Sequence, residues 1–98
     1  MEAGGERKPA VRGAVSQAIH SAKELGLDVG EVAVEAVKGS IGAVKAVGGD
    51  VVEATKEAVS VAIEAAKDIG EETVAGVKEA LSRSIEGAKD IIEAAKEK

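Results

Sequence analysis

One histidine, no cysteine and a long series of carboxylates are what this 98-residue chain offers for chemistry. His20 stands between Ile19 and Ser21. A general base needs a positioned partner, and a metal site needs several donors converging on one point. No patterned acid and no thiol accompany His20, so it reads as a solvated side chain on the polar side of a helix. The lack of cysteine excludes thiolate catalysis, disulfides and cysteine-ligated zinc. The carboxylates recur beside lysines: Glu35/Lys38, Glu53/Lys56, Glu64/Lys67, Glu86/Lys89 and Glu93/Lys96 each stand three residues apart. That spacing sets opposite charges on one helix face, worth about 0.2–0.5 kcal/mol per pair. It describes a solvated surface better than a catalytic acid–base couple. Ser82-Arg83-Ser84 is a minimal match to a kinase target. Gly4-Gly5 and Gly48-Gly49 read as tail and turn, because no strand precedes them to build a phosphate loop. No catalytic residue, cofactor or metal is expected.

Composition narrows the field further. The chain is 45% apolar yet has no Phe, Tyr or Trp, so its core must be built from Ala, Val, Ile and a little Leu. Small side chains favour closely approaching helices. The formal charge of −5 argues against nucleic acid, which calls for a concentrated basic footprint. Residues 1–9 are polar and Gly-containing, and are expected to be a disordered tail before a single domain over 10–98. They lack the apolar stretch of a signal peptide, and no later run is long and uncharged enough to span a bilayer. A soluble, cytoplasmic protein is the expectation.

The elements that position these residues are set by an internal repeat. Ile19, Ile41, Ile63 and Ile85 are spaced by 22 residues, as are Ala14, Ala36, Ala58 and Ala80. Val15, Val37, Val59 and Leu81 form another column, Leu25, Val47, Ile69 and Ile91 a fourth, and Lys23, Lys45, Lys67 and Lys89 a fifth. The units run 12–33, 34–55, 56–77 and 78–98. Each divides again by 11 residues, close to three helical turns, so the pattern returns to nearly the same face. In the third unit Val52, Thr55, Val59, Ala62, Ile63, Ala66 and Ile69 gather on one side at about 100° per residue. Ile41 and Ile63 are accordingly expected to be buried.

Punctuation recurs at the same period: Gly26-Leu27-Asp28, Gly48-Gly49-Asp50 and Gly70-Glu71-Glu72. Glycine can close one helix in the left-handed conformation, and an Asp two residues on can cap the next. Asp28 with Glu31 and Asp50 with Glu53 have capping-box spacing. Four helices follow, near 10–25, 28–47, 50–69 and 72–96. The expected fold is all-α, an antiparallel four-helix bundle built from four 22-residue helical repeats.

Six glycines fall inside these helices: Gly13, Gly30, Gly39, Gly42, Gly76 and Gly87. Each costs about 1 kcal/mol relative to Ala in a helix interior, so some compensation is expected. The second helix is the extreme case, with Gly39, Gly42, Ala43 and Ala46 leaving its back almost uncharged. A helix that is small or apolar all round packs on more than one side. Gly39, Gly42, Ala43 and Ala46 are therefore the candidate interaction surface, and a homo-oligomer or a protein partner is expected there.

The segment 45–89, with Glu53-Ala54-Thr55-Lys56-Glu57-Ala58 and Gly76-Val77-Lys78-Glu79-Ala80, resembles the 11-residue repeats of synucleins and of desiccation-linked LEA proteins. That resemblance implies a chain that becomes an amphipathic helix on lipid or on drying. Two features depart from it: the helix stops every 22 residues, and the apolar face carries Val and Ile suited to a permanent core. A non-enzymatic structural or protein-interaction bundle that self-associates is the first expectation. A peripheral protein on a lipid or granule surface is the alternative, disfavoured by the acidic net charge.

Overall fold

The computed structural model describes residues 3–96, with side chains placed from 12 to 94. Five helices are present: α1 (Ala3–Leu25), α2 (Val29–Ala46), α3 (Val51–Ile69), α4 (Glu71–Ser84) and α5 (Ala88–Lys96). No strand occurs among the described residues. The chain is all-α, as the periodicity requires. α1 begins at Ala3, within the stretch 1–9 read as a tail; Met1 and Glu2 lie outside the described residues.

The turns form where glycine and aspartate recur. Gly26 and Gly48 sit at φ 75° and 76°, in the left-handed region that L side chains avoid. Their backbones close each helix in the same way. Gly26 N–H donates to the Lys23 carbonyl and Leu27 N–H to Ala22, while Gly48 N–H donates to Lys45 and Gly49 N–H to Val44. This pairing satisfies carbonyls that the helix end would otherwise leave open. Asp28 then accepts from Glu31 N–H at 3.2 Å and Asp50 from Glu53 N–H at 3.1 Å. The third junction is different: Gly70 alone separates α3 from α4, and no side chain caps α4.

Five helices stand where four were expected. The span 72–96 breaks between Ser84 and Ala88, with Ile85 extended at φ −112°, ψ 117° and Gly87 at φ 86°. An α-helix cannot run through a left-handed residue, so the last unit folds as a corner.

The packing also departs from a closed bundle. Each helix packs on the next in sequence, and each also lies against the next but one: α1 on α3, α2 on α4 and α3 on α5. Among the described residues α1 makes no close approach to α4 or α5, where a ring of four would seat α1 against α4. Neighbours within a layer run the same way. Arg12 meets Glu57 and Glu64, and His20 further along α1 meets Asp68 further along α3. The result is two layers, α1/α3/α5 over α2/α4, with a thinnest extent of 22 Å. That is two helix diameters of about 10–12 Å.

Val15, Val37, Val59 and Leu81, one in each of α1–α4, are all 0% exposed. Ala22, Val44, Ala66 and Ala88, seven residues further on, are buried too. The expectation for Ile41 and Ile63 is corrected: both are only partly buried, packed against the core from its margin. The reason lies in α3, which has neighbours on two sides rather than one. Ala54, Ala58, Val61 and Ala65 are buried on its second flank, and Val52, expected on the apolar face, is 65% exposed.

Candidate functional site

Ser16, His20 and Asp68 form the nearest approach to a catalytic arrangement. Ser16 Oγ lies 3.4 Å from His20 Nδ1, and Asp68 Oδ2 lies 3.7 Å from Nε2. The chemistry does not follow. His20 Nδ1 is 2.9 Å from the Ser16 carbonyl oxygen, which can only accept, so Nδ1 carries the hydrogen and donates it there. A nitrogen committed in this way cannot take the Ser16 hydroxyl proton. His20 is half-exposed and its Nε2 faces Asp68 across the α1–α3 seam, a proximity the sequence did not reveal because Asp68 is distant in the chain.

Arg12 works the same seam from its other end. Its guanidinium donates to Glu57 at 2.5 Å and to Glu64 at 2.9 Å. The hydrogen bond that Arg12 donates to Glu57 is the main influence holding the Arg12 pKa above its ordinary value. The i,i+3 pairs expected along single helices are not the pattern found: Glu35/Lys38, Glu64/Lys67 and Glu86/Lys89 are not joined within 4.0 Å. Charge on this fold ties helices together as well as decorating them. Among the described residues no polar side chain is buried, and no three His, Cys, Asp or Glu side chains gather as a metal site. No helix among them is long and apolar enough to cross a membrane.

Gly39, Gly42, Ala43 and Ala46 are brought together on one exposed face in the C-terminal half of α2. A Cβ placed on Gly39 or Gly42 would meet nothing within 4 Å, so neither glycine is required by packing inside the molecule. Gly30 is the contrast. A Cβ there would lie 3.3 Å from both the Ala80 Cβ and the Gly76 carbonyl oxygen, so it permits the close crossing of α2 and α4.

Beside Gly42 lies a groove of about 690 Å³ that sequence reasoning missed. Ile41 of α2, Val51 and Val52 of α3, and Ile85 and Ile91 of the α4–α5 corner form its walls. Lys38 and Lys56 stand at its edge, and neither has a carboxylate within 4.0 Å among the described residues. The groove owes its shape to the break at Gly87, which no periodicity announces. Comparisons with protein-family models, with curated proteins and with solved structures gave no match.

Proposed function

We propose that this protein is a non-enzymatic structural and interaction module, a stack of four 22-residue helical units that associates with a second copy of itself. The carrying observation is the nearly uncharged outer face in the C-terminal half of α2, where Gly39, Gly42, Ala43 and Ala46 all stay exposed although packing inside the molecule requires neither glycine. Bare helix backbone on a surface forfeits about 0.5–1 kcal/mol per glycine relative to alanine. A second copy packed closely against that face would recover the loss through contact.

The core supports the same reading. Its central column is fully enclosed within one chain, an arrangement that suits a fold formed without a surface. The lipid-coat reading suggested by the 11-residue periodicity would instead open that column and lay it on a membrane. Sedimentation velocity over a wide concentration range is the test. Association that rises with concentration and is abolished by Ala43→Arg supports the module; a monomer at every concentration sinks it.

A further inference from the structure

The large apolar side chains left in solvent are not scattered. Leu25 and Leu27, 72% and 53% exposed, sit together at the α1–α2 turn. Val47 and Val52, 63% and 65% exposed, sit at the α2–α3 turn, the opposite end of α2. An 18-residue helix separates these ends by about 27 Å. One end projects as an exposed turn and the other borders a hollow: Leu25 and Leu27 stand in solvent, whereas Val52 lines the apolar groove described above.

The charges are matched as well. Glu24 and Asp28 flank the leucines, both exposed and with no cation within 4.0 Å among the described residues. Lys38 and Lys56 flank the groove, exposed and likewise without a partner. The groove walls are mainly aliphatic with no ring among them, so leucine fits them, and Lys38 and Lys56 outnumber the one carboxylate in the lining, Glu86. The projection is also held in shape before any partner arrives. The Leu27 N–H donates to Ala22 across the turn, and Asp28 is fixed by its cap bond to Glu31 N–H. A pre-organised knob loses little freedom on docking.

We propose that a second copy of this chain seats its α1–α2 turn, Leu25 and Leu27 with Glu24 and Asp28, in the groove between α2, α3 and the α4–α5 corner, with Lys38 and Lys56 answering the two carboxylates. The inference rests on the self-association proposed above and gives it a specific geometry, in which the α2 face is met at Gly42, on the border of the groove. The contact proposed is head-to-tail and not a reciprocal exchange about a two-fold axis, so each bound copy leaves a free knob and a free groove. The assembly therefore grows beyond a dimer, into a chain or a ring.

Two double variants and their mixture test it by sedimentation velocity. Leu25→Gln/Leu27→Gln removes the knob and keeps the groove, while Lys38→Glu/Lys56→Glu does the reverse. All four side chains are exposed, so each variant should keep the wild-type circular dichroism melt. Wild type should form species that pass the dimer as concentration rises. Each variant alone should stay a 9.8 kDa monomer, and an equimolar mixture should form a dimer and stop, since only one competent knob–groove pair remains. A mixture that stays monomeric, or that grows past the dimer, overturns the head-to-tail contact. Variants that assemble like wild type overturn it while leaving self-association standing. Wild type that is monomeric throughout overturns both.

Discussion

Ile63 and Leu81 look equally apolar in sequence, yet Leu81 is fully enclosed and Ile63 lies at the margin of the core. Their truncations should therefore differ. Leu81→Ala is expected to cost about 2–5 kcal/mol in urea denaturation, with Ile63→Ala well below it because less area returns to water. Equal losses would mean that the helical phase seen for α3 is wrong. The column Val15, Val37, Val59 and Leu81 was legible in the sequence; its rank above the isoleucine column was not. A helical wheel assumes one buried side, and only the packed neighbours of α3 reveal the second. The glycines divide in the same way. Gly39→Ala should raise stability by about 0.5–1 kcal/mol, since nothing obstructs its new methyl. Gly30→Ala should gain less, because its methyl presses on Ala80 and the Gly76 carbonyl at 3.3 Å. If Gly30→Ala proves the more stabilising in the same denaturation series, the close α2–α4 crossing is not there.

At the scale of elements, the stops were easier to read than the faces. Asp28 and Asp50 could be assigned as caps from spacing alone, because capping is local and needs no knowledge of the rest of the fold. Asp50→Ala should lower stability by about 1 kcal/mol, read from the shift in urea midpoint. The break after Ser84 was not legible. Gly87 resembles Gly39 and Gly42 as an isolated glycine in an amphipathic stretch, but it alone of the three takes φ 86°. A left-handed conformation costs an L residue about 1–2 kcal/mol, so Gly87→Ala should destabilise by that amount. A gain in thermal stability would show that α4 and α5 run on as one helix. The candidate groove was missed for the same reason, since it exists only because of this corner.

For the whole molecule, the decisive observable is helicity in plain buffer. A far-UV circular dichroism melt without lipid should give a strongly helical spectrum and a cooperative transition, and anionic vesicles should add little helix. A disordered spectrum that becomes helical only on vesicles would transfer the protein to the lipid-surface reading. All-α content followed directly from the periodicity. The arrangement did not, because short turns fix which helices are neighbours in sequence and say nothing about whether the first and fourth meet.

That missing meeting has a consequence of its own. In a ring, the first and last staves must touch, so the number of staves is fixed by closure. Here each helix consults only the two before it and the two after. Nothing in such a structure counts. A 22-residue unit inserted at the Gly48-Gly49 turn would keep the pattern of offsets, but Arg12 would lose Glu57 and Glu64, whose helix would then stand third after its own.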